Sequence, residues 1–176
     1  MKYFTILMTL VAILLTSTAQ ATNRTPFGHQ VSTVQNYYRI STQIATSGLI
    51  GDGGAQLLAA HNFKTIIDLR TANEGTDEEK ALVDAANMTY INIPMTVAGI
   101  SAEQLAKFTK AIETAQKPVL IHCGSGNRAG AMWASYQISK GIDPEIALAE
   151  GRKAGLRPPL EEKVKDAMMH YIAVKN

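Results

Sequence analysis

A chain with one cysteine cannot close a disulfide within itself, and this sequence has only Cys123. In an oxidising compartment that thiol has no cross-linking use, so it is either a buried apolar filler or a reactive group. An excess of one charge is also missing. The 17 basic and 15 acidic residues give a formal charge of +2, which argues against a nucleic-acid footprint or a polybasic membrane patch. Four scattered histidines, His29, His61, His122 and His170, and the lone cysteine do not fall at metal-ligand spacing. Neither a metal nor an organic cofactor is expected. No repeat or low-complexity tract is present.

Long hydrophobic runs are absent except at the start. Lys2 precedes an uncharged apolar run from Tyr3 to Leu15, and small or polar residues follow to Ala19-Gln20-Ala21. This is the layout of a secretory signal peptide, with cleavage expected after Ala21. The run falls short of the roughly 20 apolar residues that span a bilayer. The expected location is therefore secreted or periplasmic, with no stable membrane insertion after cleavage. The organisation read from the sequence is a signal peptide over 1–21, a mobile polar lead-in over 22–36, and a single catalytic domain over 37–176.

Within that domain, strands and helices alternate. Tyr38–Ile40 and Gln43–Ala45 read as short strands, and a helix begins at Asp52. Lys64–Leu69 is a run of apolar and β-branched residues that suits a strand buried on both faces. Thr76-Asp-Glu-Glu79 and Ser101-Ala-Glu-Gln104 have the form of capping boxes and open two helices around the strand Thr89–Ile93. Val119–His122 is another buried strand. A helix from Arg128 to Lys140 follows, then one capped by Asp143-Pro144, then a last helix from Leu160 to Val174. This order implies an α/β fold, a mostly parallel central sheet with helices on both faces. Ligands bind such sheets beyond the carboxyl ends of the strands, where Cys123 lies.

The segment Cys123-Gly-Ser-Gly-Asn-Arg128 carries the chemistry. Gly124 and Gly126 let the chain curl so that amide hydrogens point inward, which makes an anion cradle. The N-terminus of the next helix adds partial positive charge. Arg128 can close over the anion with its planar fork. The same surroundings favour a thiolate on Cys123, the nucleophilic form. Candidate catalytic residues are Cys123 and Arg128, and Gly124, Ser125, Gly126 and Asn127 are the candidate binding residues.

His122-Cys123 followed by a glycine-rich loop and Arg128 resembles the phosphate loop of cysteine-dependent protein phosphatases of the tyrosine and dual-specificity kind. The series ISTQIATSGLI, FKTIIDLR, Glu74, YINIPM and PVLIHCGSGNRAG extends the likeness from about Tyr38 to Met168. It is most similar to the bacterial beta-lactamase hydrolase-like, phosphatase-like family. The resemblance implies a three-layer phosphatase-like sandwich and phosphoester hydrolysis through a phosphocysteine. In that scheme the amides of Ser125 to Arg128 hold the phosphoryl oxygens, His122 orders the loop, and the partner is a phosphorylated protein or small phosphoester.

Three departures from that pattern keep alternatives open. Four residues, not five, separate Cys123 from Arg128, a spacing that resembles rhodanese-type sulfurtransferases and would suit a persulfide on Cys123. Ala129 stands where phosphatases usually carry Ser or Thr. The stretch Met95–Ile100 holds no acid to protonate a leaving group. Glu74 and Asp77 are the fallback proton donors, and Asp68 and His122 are supporting residues. A non-catalytic anion-binding or redox module is the third reading.

Overall fold

The computed structural model describes residues 33–175. The expected signal peptide and most of the lead-in lie outside the described residues. Five strands form one sheet: β1 (Tyr38–Arg39), β2 (Ile44–Ser47), β3 (Thr65–Asp68), β4 (Thr89–Asn92) and β5 (Val119–His122). Their order is β1-β2-β5-β3-β4, with β1 antiparallel to β2 and all other pairs parallel. β5 is central, aligned with β2 through Ser47–His122 and with β3 through Asp68–His122. The mostly parallel sheet is as expected, and so is its burial, since every residue of β3 and β5 is buried.

Side chains alternate across a strand, so neighbours in sequence serve opposite faces. Ile66 and Leu120 pack with Leu58 of α1 (Gly54–Ala60) and Val83 of α2 (Thr76–Ala85). Ile67 and Ile121 pack instead with Phe108 of α3 (Ala102–Thr114), Met132 of α4 (Asn127–Ser139), Leu148 of α5 (Pro144–Lys153) and Leu160 of α6 (Pro158–Lys175). Two helices therefore cover one face and four cover the other. Among the described residues no helix is long and apolar enough to cross a membrane.

The Ser101 box forms as expected: Ser101 Oγ accepts from Gln104 N at 3.1 Å, and Gln104 Oε1 accepts from Ser101 N at 2.9 Å. Asp143 caps α5 by accepting from the amides of Glu145 and Ile146. The Thr76 box does not form. Gly75, at φ 81°, precedes α2, and the Thr76 and Glu79 side chains are buried. A box forms five residues earlier instead, where Thr71 and Glu74 cap a single 3-10 turn, Ala72–Glu74. The last helix begins two residues earlier than expected, because Pro158-Pro159 opens α6, where a missing amide hydrogen costs nothing. The end of the expected lead-in belongs to the folded body, for Val34 is buried and bridges to Ile50.

Candidate active site

β5 ends at His122, and the chain turns at once into α4. Gly126 makes the turn at φ 89°, a left-handed conformation that costs glycine nothing. Ser125 pairs with Gly48 beyond the end of β2, Asn36 Nδ2 donates to Ser125 O at 3.0 Å, and Asn127 Oδ1 accepts from Arg157 N at 2.9 Å. Segments from three parts of the chain thus hold the loop. Gly155 packs on it so closely that a Cβ there would lie 3.0 Å from the carbonyl carbon of Gly126.

Cys123 Sγ accepts from Gly126 N at 3.2 Å, as an inward-turned amide requires. The sulfur is fully buried, on the sheet face covered by α3 to α6. Arg128, expected to close over the loop, lies above Gly124 and beside the sulfur.

Arg128 Nη1 donates to Glu74 Oε2 at 2.8 Å and Nη2 to Glu74 Oε1 at 2.5 Å, a bidentate fork. Nη1 also donates to Met95 O at 3.1 Å. A Cβ on Gly124 would sit 3.3 Å from Arg128 Nη2 and 3.7 Å from Glu74 Oε1, so the pair lies directly over the loop. Glu74 is itself fixed, because its Oε2 accepts from Thr71 N and Thr71 Oγ1, both at 2.8 Å. The Arg128 guanidinium holds the Glu74 carboxyl down at about 2. Arg128 is pushed up in turn by Glu74 and, to a smaller degree, by the adjacent Cys123. A guanidinium carries five hydrogens. Nη1 and Nη2 face Glu74, Nη1 also meets Met95 O and Leu69 O, and among the described residues Nε has no hydrogen-bond partner, so the Nε and Nη2 edge, beside Cys123, is the one left for an anion on the loop.

These contacts reassign the fallback residues. Glu74 is ionised at neutral pH and bound to Arg128, so it holds the arginine rather than a proton for a leaving group. Asp77 is exposed in the first turn of α2, where its charge complements the helix dipole. Asp68 is fully buried on the sheet face opposite Cys123. Burial alone would raise its pKa, but hydrogen bonds from Arg70, the neighbouring His122 and the Tyr90 hydroxyl outweigh burial and hold it low.

His122 does not bond the loop through its ring. Its Nε2 lies 2.7 Å from Glu79 Oε1 and 3.4 Å from Asp68 Oδ1, on the α2 face. Arg70 Nη2 lies 2.8 Å from both Asp68 Oδ2 and Glu79 Oε2. Asp68, Glu79 and His122 bring ligand-type atoms within 4.8 Å of one another, a grouping that sequence spacing concealed. Arg70 already supplies the cation between the two carboxylates, so the group reads as a buried charge network supporting the end of β5 from below. Glu79 and Asn36 are the residues that sequence reasoning missed. The α2 pattern of Thr76, Glu79 and Val83 on one buried face was the available signal for Glu79.

A family model described as a DSP-PTPase phosphatase fused to NAD+ kinase matches residues 29–166. The chain belongs to this family. Among curated proteins it is 30% identical to a beta-lactamase hydrolase-like protein of Xylella fastidiosa over 107 residues, 58% of this chain and 25% of that one. It thus spans about a quarter of that relative's length. It is 26% identical to the dual specificity protein phosphatase TpbA of Pseudomonas aeruginosa over 151 residues, 84% of this chain and 66% of TpbA. Solved structures agree on the fold. A putative phosphatase from Shewanella putrefaciens aligns with a TM-score of 0.66 at 24% identity, covering 78% of this chain and 94% of that one. The crystal structure of TpbA in complex with pTyr aligns at 0.62 and 21% identity, over 83% and 99%.

Proposed function

We propose that the protein is a cysteine-nucleophile phosphatase that hydrolyses phosphoesters, aryl esters of the phosphotyrosine kind among them. The carrying observation is that Cys123 Sγ, the Gly126 amide and the Arg128 guanidinium converge at the end of the central strand in a chain of the dual-specificity phosphatase family. The thiolate attacks phosphorus in line with the leaving oxygen. Phosphoryl charge then develops where loop amides and the open Nε and Nη2 hydrogens of Arg128 stand. Water cleaves the phosphocysteine and frees phosphate. With Glu74 committed to Arg128 and no acid in Met95–Ile100, good leaving groups react best, since a positioned general acid contributes about 10²–10⁴-fold. The TpbA complex with pTyr supports the substrate class. Export with cleavage after Ala21 is part of the same proposal and is checked by the N-terminal mass of the mature chain.

The test is a parallel assay with an aryl phosphate and with thiosulfate plus cyanide. Aryl phosphate hydrolysis that vanadate inhibits and Cys123→Ser abolishes supports the phosphatase. Thiocyanate production with a cyanide-labile sulfur adduct on Cys123 would replace it with a sulfurtransferase.

A further inference from the structure

The segment that follows β4 holds no acid, yet it is tied down along its length. Pro94 O accepts from Gln104 Nε2 at 2.7 Å, Met95 N donates to Leu69 O at 3.1 Å, and Met95 O accepts from Arg128. The last tie comes from another layer: Lys163 Nζ, on α6, donates to Val97 O at 2.8 Å across 66 residues of sequence. Gly99, at φ 133°, brings the chain past the same lysine, so that a Cβ there would lie 4.0 Å from Lys163 Cβ.

Pairing within α6 does not account for where Lys163 points. Asp166 stands three residues on, a spacing at which helical ion pairs form, and both side chains line the recess beside the loop. Among the described residues the two form no ion pair, whereas Lys165 of the same helix pairs with Glu161 and Glu162. Lys163 instead gives up rotamer freedom to meet a neutral carbonyl. Val97 O and Ala98 N belong to one planar peptide unit. Lys163 holds its oxygen, and Thr96 Oγ1 holds its nitrogen at 3.2 Å. Only Thr96 and Val97 link that unit to the Met95 carbonyl that meets Arg128.

We propose that Lys163 is a positioning residue for phosphoryl transfer: by fixing the Val97 peptide it fixes Met95 O, and through it the edge of Arg128 that faces the anion. The proposal rests on the phosphatase reading. The acid-free loop then serves the reaction as a brace for the arginine, and α6 anchors the brace.

The test is steady-state hydrolysis of aryl phosphates by the full chain carrying Lys163→Met, which keeps the apolar stem and removes the donor, or Lys163→Arg, which restores one. With Lys163→Met, kcat falls about fivefold, the scale of one partly exposed hydrogen bond from a charged group. KM stays within about twofold, as for an interaction that matters only in the transition state, and good and poor leaving groups lose alike. Vanadate, a mimic of the five-coordinate transition state, inhibits less tightly by the same factor, whereas inorganic phosphate binds as before. Lys163→Arg recovers kcat, and Asp166→Asn, which changes only the charge of the recess, leaves it unchanged. An unchanged kcat with Lys163→Met, a loss that Lys163→Arg does not recover or that Asp166→Asn reproduces, a loss confined to poor leaving groups, or one that follows a lowered melting midpoint overturns the positioning role. Hydrolysis by the unsubstituted protein leaves the phosphatase reading standing in each of these cases. If the unsubstituted protein hydrolyses no aryl phosphate, that reading fails, and the positioning role with it.

Discussion

Substituting Glu74→Gln separates two roles that this carboxylate can hold. Glutamine keeps the shape of the side chain but can offer only one acceptor to Arg128, and its amide NH₂ faces a guanidinium nitrogen. The bidentate pair at 2.8 and 2.5 Å becomes a single neutral contact. A hydrogen bond to a charged partner is worth about 1.5–3 kcal/mol when buried. The Glu74 side chain is 34% exposed and that of Arg128 12%, so solvent screening reduces the loss to about 1–2 kcal/mol. If that energy fixes the direction of the open Arg128 hydrogens, kcat falls about 5- to 30-fold. Loss of a nearby negative charge acts in the opposite sense on ground-state anions. Inorganic phosphate should therefore bind as well as before or more tightly.

The assay is a series of aryl phosphates whose phenols span several pKa units. A proton donor matters most for poor leaving groups, so removal of a general acid steepens the dependence of rate on leaving-group pKa. Loss of an arginine-positioning group lowers all members of the series alike. Since the folded Glu74 carboxyl lies at about 2, the substitution also leaves the acid limb of the kcat profile in place above pH 4. A wild-type kcat in the variant, or a loss confined to poor leaving groups, refutes the positioning argument.

Other substitutions probe the scaffold. Gly130→Ala places a Cβ 2.5 Å from Gly151 O and 2.6 Å from Leu156 N, both backbone atoms, so α4 and α5 must separate. A loss of about 2 kcal/mol is expected from denaturant melts. Glu79→Gln leaves Arg70 short of one partner and His122 beside a neutral amide in a buried site, at a cost of about 3 kcal/mol in the same melts. Lys80→Ala, one residue away in an exposed pair, should shift stability by less than about 0.5 kcal/mol. In acid, a carboxyl whose folded pKa is depressed contributes stability above its unfolded value and loses it as pH falls through the folded one. The stability difference between wild type and Glu74→Gln, about 1–2 kcal/mol after screening, should thus be constant above pH 5 and vanish toward pH 2, as read from urea melts across that range.

The parts of this site that were legible in the sequence are those built from consecutive residues. TIID and VLIH announce buried parallel strands because apolar and β-branched residues run together in them instead of alternating with polar ones. The Cys123–Arg128 loop carries its own glycines, nucleophile and cation within six positions. What stayed hidden was decided by competition between equivalent local patterns. Thr71-Ala-Asn-Glu74 and Thr76-Asp-Glu-Glu79 both fit a capping box. Tertiary contacts choose between them: Glu79 pairs with the buried Arg70 and lies beside His122, and Glu74 is left to cap its turn and meet Arg128. Asn36 was illegible for a different reason. Its side chain bonds Ser125, 89 residues away, and no local pattern marks such a contact.

Strand parity then explains why two charge systems so close in sequence do not interfere. His122 and Cys123 are neighbours, yet alternation sends the histidine toward α2 and the sulfur toward α4. Asp68, level with His122 in the sheet, goes the same way as the histidine. The cluster of Asp68, Arg70, Glu79 and His122 is therefore walled from the thiol by the sheet itself. Of the charged side chains near the loop, Arg128 stands beside the thiol and Glu74 acts through it. Arg128 is held by Glu74, from the turn after β3, and by Met95 O, from the segment after β4. Its orientation thus depends on both parallel strands keeping their register. A slip of β4 against β3 would move Met95 O and turn the open guanidinium hydrogens away from the loop before disturbing Cys123. This is why Arg128, more than the nucleophile, couples the integrity of the sheet to catalysis.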